Sequence, residues 1–298
     1  MLLPSSARSS SRGQRGVAIL VALAVLLFAS YGGAASFLWA NQRKLIFTPS
    51  RAGSRTPADL HLAYEDVELQ VTGSKDSFLH GWWLPSAEGA APTLLYLHGS
   101  DLNIGANLVR VALFHRMGFS VLIVDYRGYG ESSGHAPTEA SVYADAETMW
   151  DYLIHERQVD PRQTFIYGHS LGAAVAIDLA SRHPDAAGLI VESAFTSIGD
   201  VAALRYWMFP ADWIDRLLTE RFDSLARIGQ LRVPVLFIHG TADAEVPCSM
   251  SEQLYAAARE PKWLILIPGG GHEDDDTVGG SRYTQAVLDF ARANQRGR

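Results

Sequence analysis

The stretch "TFIYGHSLGAAVA", residues 164–176, constrains the fold of this chain more than any other. Its first half is a short run of β-favouring residues and its second half is rich in small residues, so a strand is expected to turn directly into a helix. Ser170 stands at that turn between Gly168 and Gly172. This is the G-x-S-x-G pattern, in which a sharp strand-to-helix turn exposes a serine hydroxyl. We therefore predict that Ser170 is a nucleophile, with a plain loop serine as the alternative.

Short apolar runs alternate with segments of helical spacing along most of the remaining chain. The predicted strands of this kind are "APTLLYLHG", "SVLIVDYRG", "QTFIYG", "AGLIVES", "VPVLFIHG" and "KWLILIPG". The alternation indicates βαβ units, and therefore a mostly parallel sheet with helices on both faces. Two earlier segments, "EDVELQV" and "SFLHGWWL", alternate in polarity across a turn-forming stretch. They predict an antiparallel edge, which brings the sheet to about eight strands.

A longer segment, about residues 194–232, interrupts this alternation between two predicted strands. It carries Trp207, Phe209 and Trp213 in a helical setting. We predict a small helical cap insertion over the edge of the sheet where the carboxyl ends of the strands meet. In open α/β sheets, ligands bind at that edge.

Two later loops can supply the partners that a nucleophilic serine requires. The serine needs a base to take its proton, and the base needs a carboxylate to orient it. Asp243 follows the strand "VPVLFIHG" and His272 follows "KWLILIPG", which gives the order serine, acid, histidine. We predict Asp243 as the acid and His272 as the base. Glu245 is the rival acid, and a plain turn aspartate and a solvated loop histidine are the alternatives.

Backbone N–H groups near the serine are the expected donors to an oxyanion. The N–H of Leu171 follows the nucleophile at the start of a helix. A second donor is expected from the loop after "LLYLHG", where Ser100 is the candidate and Asp101 the alternative. We expect His98 to brace this loop, and His169 to shape the turn at Ser170 rather than act as the base.

The sequence predicts no metal site and no cofactor. The acidic run at residues 273–276 is interpreted as a solvated loop that raises the pKa of His272, with a metal site as the alternative. The glycine-rich segment 125–134 lacks the Gly-Lys-Ser/Thr ending of a phosphate loop and is predicted to be a tight structural loop. Cys248 is the only cysteine. An internal disulfide is therefore excluded, and this thiol is predicted to be a bystander.

The N-terminal region is expected to contain a membrane-spanning helix. Residues 1–15 form a basic tail, and residues 16–40 carry no charge. An uncharged run of this length exceeds the roughly 20 residues that cross a bilayer as a helix, and Trp39 suits a membrane interface. A polar linker over 41–63 and a catalytic domain over 64–298 follow. A cleaved signal peptide and a buried core helix are the alternatives.

Basic residues flank the uncharged run on both sides, so charge orients it only weakly. We predict a cytoplasmic N-terminus and an extracytoplasmic catalytic domain, or a secreted protein if the run is cleaved. The net charge is −7 and no basic patch is present, which argues against a nucleic-acid partner.

Five motifs occur in an order that resembles the α/β-hydrolase superfamily: "LLYLHGS", "DYRGYGESSG", "YGHSLGAAVA", "HGTADAEVP" and "PGGGHED". The resemblance covers roughly residues 64–295. The uncharged N-terminal helix followed by "NQRKLIFTP" looks like the membrane-anchored serine hydrolases of the Bem46-like group. The resemblance implies the α/β-hydrolase fold, a Ser170–Asp243–His272 triad, and oxyanion donors from Ser100 and Leu171. Relatives often have Asn at the position of Ser100, a change that a backbone donor tolerates.

Relatives of this kind include esterases, lipases and protein depalmitoylases, so the family does not define the substrate. We predict a serine hydrolase that cleaves carboxylic esters or thioesters through an acyl-enzyme. The anchor and the aromatic cap favour an apolar acyl substrate, such as a glycerolipid or an acylated protein. A serine peptidase with the same triad and a non-catalytic binding protein of this fold are the alternatives.

Overall fold

The computed structural model describes residues 9–51, 55–71, 77–87 and 91–295. The chain divides into two units, Met1–Leu45 and Ile46–Arg298. Residues 1–8 of the predicted basic tail, including Arg8, lie outside the described residues.

The described part of the first unit is helical and belongs to α1, which runs from Ser9 to Ile46. Within the described ranges, its portion Gln14–Ile46 is the one helix that is long and apolar enough to cross a membrane by length and composition. Its large apolar side chains from Val17 to Phe28 are more than half exposed. The helix continues beyond the uncharged run, and Arg43 and Lys44 lie in its last turn, where cations interact favourably with the helix dipole.

The second unit is built on an eight-stranded sheet with the order β10-β9-β8-β7-β4-β6-β3-β2, beside a parallel pair of two-residue strands, β1 and β5. The β2–β3 and β3–β6 pairs are antiparallel, and the other neighbours in the large sheet are parallel. The predicted mostly parallel sheet with an antiparallel edge is confirmed. The strands are β1 (Thr48–Pro49), β2 (Glu65–Gln70), β3 (Phe78–Leu84), β4 (Thr93–Leu97), β5 (Asp101–Leu102), β6 (Ser120–Val124), β7 (Thr164–His169), β8 (Gly188–Glu192), β9 (Val235–Gly240) and β10 (Lys262–Ile267).

Helices connect the parallel strands, and short 3₁₀ or π-helical turns lie at Pro57–Leu60, Ile104–Asn107, Tyr152–Glu156 and Pro161–Gln163. The segment predicted as a cap contains α5, α6 and α7. The helices are α2 (Leu108–Arg116), α3 (Glu139–Asp151), α4 (Leu171–Arg182), α5 (Ile198–Arg205), α6 (Ala211–Leu217), α7 (Ser224–Ile228), α8 (Cys248–Ala257), α9 (Asp275–Gly279) and α10 (Ser281–Asn294).

Two hydrophobic cores lie on the two faces of the sheet. In β4, Leu95 and Leu97 belong to one core, and Leu94 and Tyr96 belong to the other. Successive side chains of a strand point to opposite faces, so a strand covered on both faces must be apolar throughout. This accounts for the continuous apolar runs in the sequence of the central strands.

The residues that follow α1 pack within the second unit. Phe47 is buried, and its ring lies 6.0 Å from that of Phe222 in an edge-on arrangement. The N–H of Thr48 donates to the carbonyl of Ser100 over 3.1 Å. The segment 41–63, predicted as a linker, thus includes the end of α1, the strand β1 and a 3₁₀ turn.

Candidate active site

Ser170 occupies the turn between β7 and α4 in a backbone conformation that side-chain-bearing residues rarely adopt. Its φ is +52° and its ψ is −118°. Strain of this kind persists only where the surrounding structure enforces it. A methyl group on Gly172 would overlap the carbonyl oxygens of Leu97 and His98, and one on Gly168 would overlap the backbone of Gly172. The two glycines therefore let α4 approach β4 and β7 closely enough to make the turn.

The loops after β9 and β10 bring two partners to this serine. Nε2 of His272 lies 2.9 Å from Oγ of Ser170, and Nδ1 of His272 lies 2.7 Å from Oδ2 of Asp243. A carboxylate only accepts hydrogen bonds, so Nδ1–H donates to Asp243 and Nε2 is left to accept from the serine hydroxyl. The structure thus places the three predicted residues in one hydrogen-bonded chain.

Asp243 is held in place by groups on its own loop. Its Oδ1 accepts from the N–H groups of Glu245 and Val246, each over 2.8 Å. Glu245, the rival acid of the sequence analysis, contributes its backbone here. His239 lies in the same region: its Nε2 donates to the carbonyl of Val246 over 2.8 Å and is 3.2 Å from Oδ2 of Asp243.

These contacts move the pKa values of both ionisable groups. Burial raises the pKa of Asp243, but hydrogen bonds from His239, His272 and the N–H of Val246 outweigh it and hold that pKa well below its usual range. Burial lowers the pKa of His272, but its bond to Asp243 and the nearby carboxylates of Asp243, Glu245 and Glu273 give a net rise. Asp243 therefore remains ionised at neutral pH and stabilises a positive charge on His272.

One candidate oxyanion donor is next to the serine in the chain, and the other follows a residue that borders it. Leu171 is the first residue of α4, where a backbone N–H has no partner within the helix. Gly99 borders Ser170, because a methyl group on it would lie 3.7 Å from Cβ of the serine. Ser100 follows Gly99 directly in the chain, and its N–H is the second candidate donor.

The glycine-rich segment 125–134 braces this loop. The hydroxyl of Tyr129 donates to the carbonyl of Ser100 over 2.7 Å, and that of Tyr126 donates to the carbonyl of His98 over 3.3 Å. Nδ1 of His98 donates to the carbonyl of Gly99 over 2.8 Å. Burial lowers the pKa of His98 to about 4, so this histidine is neutral and has a structural role.

Several polar groups hold the loop of His272, a role that the sequence analysis predicted for none of them. Nε2 of His169 donates to the carbonyl of His272 over 2.8 Å, and Oγ of Ser193 donates to the same carbonyl over 3.3 Å. Nη2 of Arg110 donates to the carbonyl of Glu273 over 2.8 Å. The base therefore lies on a loop whose backbone is fixed at two consecutive residues.

Arg110 is itself part of a buried cluster beneath the site. Its Nη2 lies 3.3 Å from Oε1 of Glu192. Oε2 of Glu192 accepts from the hydroxyls of Tyr167 and Tyr283 over 2.8 and 2.7 Å. The side chain of Arg110 is 6% exposed and that of Glu192 is fully buried. Oδ1 of Asp276 lies 3.7 Å from the same Nη2. The charge of Arg110 is thus compensated by Glu192 at the closer distance and by Asp276 at the longer one.

The acidic run after His272 differs from its prediction as a solvated loop. Asp275 is fully buried at the start of α9, and burial raises its pKa to about 8, so the prediction is wrong for this residue. Among the described residues, His169, His272 and Glu273 present ligand atoms within 4.8 Å of one another, close enough to hold a metal ion. Both ring nitrogens of His272 are already engaged by Ser170 and Asp243.

Comparison with known sequences gives matches over most of the chain. A family model described as "Serine aminopeptidase, S33" matches residues 90–218. Protein Rv2307c of Mycobacterium tuberculosis is 39% identical over 92% of this chain and 94% of its own length. Protein bem46 of Schizosaccharomyces pombe is 32% identical over 92% of both chains. The α/β hydrolase domain-containing protein WAV2 of Arabidopsis thaliana is 32% identical over 89% of this chain and 93% of its own.

Solved structures share the fold. The Pyrococcus furiosus esterase Pf2001 superposes with a TM-score of 0.69, covering 84% of this chain and 98% of its own at 20% identity. Est1E of Butyrivibrio proteoclasticus, solved with ferulic acid bound, gives a TM-score of 0.63 over 76% of this chain and 98% of its own, also at 20% identity.

Proposed function

The chain belongs to the Bem46-like group of the α/β-hydrolase superfamily and is a serine hydrolase, and on this basis we propose that it cleaves carboxylic esters or thioesters of apolar acyl groups. The observation that carries the proposal is the hydrogen-bonded chain Ser170–His272–Asp243, with 2.9 and 2.7 Å between successive partners. Such a chain is the arrangement by which a serine hydroxyl becomes a nucleophile at neutral pH.

In the proposed reaction, Oγ of Ser170 attacks the substrate carbonyl while Nε2 of His272 takes its proton. Asp243 keeps the imidazole in the required tautomer and stabilises the imidazolium. The N–H groups of Leu171 and Ser100 donate to the oxyanion of the tetrahedral intermediate. His272 then returns the proton to the departing alkoxide or thiolate. Water, deprotonated by the same histidine, attacks the acyl-Ser170 ester. His272 returns this proton to the departing Oγ of Ser170, and the carboxylic acid is released.

The preference for an apolar acyl group is supported by two features of the chain. One is the helix α1, which is long and apolar enough to cross a membrane, and which we propose to be an uncleaved anchor with the catalytic unit on the extracytoplasmic side. The other is the pair of exposed tryptophans in the cap region, Trp207 and Trp213. N-terminal sequencing of the mature protein tests the anchor, because a chain that begins near residue 36 would contradict it.

A fluorophosphonate probe tests the catalytic assignment, since it labels only an activated serine. The wild-type protein should be labelled, and Ser170→Ala should not. Ser181→Ala provides a matched control that removes an exposed serine hydroxyl from the far end of the same helix, and it should label like the wild type. An unlabelled wild-type protein, as a non-catalytic binding protein would be, contradicts the proposal.

A peptidase is the second candidate, because the matching family model is described as a serine aminopeptidase. An aminopeptidase must bind the α-ammonium group of its substrate, which requires negative charge near the catalytic residues. The carboxylates of Glu245 and Glu273 lie close enough to His272 to raise its pKa. Acyl p-nitrophenyl esters of graded chain length, compared with aminoacyl p-nitroanilides, separate the two functions. The ester proposal expects kcat/KM to rise with chain length and the anilides to react more slowly than every ester.

A further inference from the structure

Exposed apolar side chains follow several strands at the edge of the sheet where the active site lies. Leu102 comes after β4 and is 53% exposed. Leu204 and Trp207, in the segment after β8, are 54% and 81% exposed. Val278, after β10, is 47% exposed. The carboxyl ends of parallel strands meet at one edge, so the topology gathers these side chains on one side of the catalytic unit.

The backbone of Leu102 is fixed in a conformation that keeps this side chain at the surface. Its φ is +59°, which is uncommon for any residue other than glycine, asparagine or aspartate. The N–H of Ser50 donates to the carbonyl of Leu102 over 2.8 Å, within the β1–β5 pair. Outliers of this kind cluster at functional sites, and this one exposes an apolar side chain two residues beyond the candidate oxyanion donor.

The chain enters the catalytic unit at the same edge. Thr48, which donates to the carbonyl of Ser100, comes two residues after Ile46, the last residue of α1. Two residues span at most about 7 Å of chain. If the uncharged run of α1, which ends at Ala40, crosses a membrane, eight residues connect it to Thr48. The loop of Ser100 is therefore tethered within about 16 Å of chain from the end of that run.

We propose that this carboxyl edge docks into the interfacial layer of the bilayer crossed by α1, with Leu102, Leu204 and Trp207 inserted, and that the site takes long-chain acyl esters directly from the membrane. The proposal rests on the hydrolase function and the anchor proposed above. Tryptophan favours the headgroup level of a bilayer, and apolar side chains on a helical face insert at the boundary of headgroups and acyl chains.

The charges at this edge favour insertion into uncharged lipid. Asp101 and Glu273 are exposed beside the site, so an anionic surface would repel them. The charges of α5 and α6 nearly cancel, with three acids against two bases: Asp200, Asp212 and Asp215 against Arg205 and Arg216. Docking of these side chains therefore depends on apolar contact, whereas Arg43 and Lys44 in the last turn of α1 attract anionic headgroups to the anchor itself.

Fluorescence quenching in the full-length protein tests the docking. In a Cys248→Ser background, Trp207→Cys carries an NBD label, and the protein is placed in phosphatidylcholine nanodiscs with nitroxide-labelled lipid. The label at 207 should be blue-shifted and quenched at least threefold more than a label at Asp185→Cys, an exposed turn residue before β8. Equal quenching at the two positions overturns the proposal. So does quenching at 207 that appears only when phosphatidylglycerol is added.

A kinetic comparison tests whether docking delivers substrate. The measured quantity is the ratio of two turnover rates, one on a long-chain ester in the nanodisc and one on a water-soluble short-chain ester. The double variant Leu204→Ser/Trp207→Ser should lower this ratio at least tenfold. Asp185→Ser should keep the wild-type ratio, and an unchanged ratio in the double variant overturns the proposal. Fluorophosphonate labelling of the same samples reports the hydrolase function separately, since docking can fail while Ser170 still reacts.

Discussion

Replacing Glu192 with glutamine removes one charge of a buried pair and retains its shape. Oε2 of Glu192 accepts from two tyrosine hydroxyls while Oε1 faces Nη2 of Arg110 at 3.3 Å. A glutamine has only one oxygen. If that oxygen keeps the bonds from Tyr167 and Tyr283, its NH₂ group faces the guanidinium, and two donors oppose each other.

The expected loss of stability is large because Arg110 would keep a buried charge with a weakened set of counter-charges. Removing one partner of a buried ion pair costs about 3–5 kcal/mol. For a domain of this size that corresponds to a decrease in Tm of roughly 6–20 °C. Arg110→Met in the Glu192→Gln background removes the stranded charge, so the double variant should recover much of the Tm.

The double variant also separates stability from positioning. Its stability is restored, but the carbonyl of Glu273 has lost the donor that Arg110 supplies, so its kcat should remain below that of the wild type. Tm is measured by tryptophan fluorescence on the full-length protein in nanodiscs, and activity by burst kinetics with p-nitrophenyl butyrate. A Glu192→Gln protein whose Tm lies within about 2 °C of the wild type would refute the reasoning, as would a double variant with wild-type kcat.

Three further predictions concern the immediate surroundings of Ser170. Asp243 raises the pKa of His272, and the base must be neutral to accept the proton of Ser170. The acid limb of the kcat/KM profile should therefore have its midpoint above the ordinary histidine pKa of about 6.5. Asp243→Asn should lower that midpoint and reduce kcat about 10⁴-fold. His169→Leu removes one bond to the carbonyl of His272 and should lower kcat about 2–10-fold, whereas His169→Gln, which keeps a donor, should retain more activity. Gly172→Ala places a methyl group against the carbonyl of Leu97 and should lower the free energy of unfolding by about 1–3 kcal/mol, measured by urea denaturation.

The parallel sheet could be predicted from the sequence because burial on both faces leaves a distinct pattern. Strands such as β4 and β7 read as continuous apolar runs, which is what two flanking helical layers require. The extent of α1 could not be predicted in the same way. The residues from Asn41 to Lys44 are polar, but polarity does not end a helix, and no proline or glycine follows them before Ile46.

The three residues that meet at the site were predictable because each follows a strand and the order of such residues is characteristic. The pair Arg110–Glu192 was missed because each residue was interpreted within its own element. A signal was nevertheless present: Arg110 interrupts the apolar spacing of "LVRVALF", and Glu192 ends the buried strand "AGLIVES". Two opposite charges at positions that the pattern assigns to the core must be paired somewhere, and that rule could have linked them.

The bonds around His272 indicate which part of the site can vary and which cannot. Its two ring nitrogens are used by Ser170 and Asp243, so its loop is fixed through backbone carbonyls instead. One of those carbonyls is held by His169, the residue immediately before the nucleophile on β7. The separation of nucleophile and base is therefore set by a central strand. Substitutions in the segment 194–232 should leave the 2.9 Å contact, on which proton transfer depends, undisturbed.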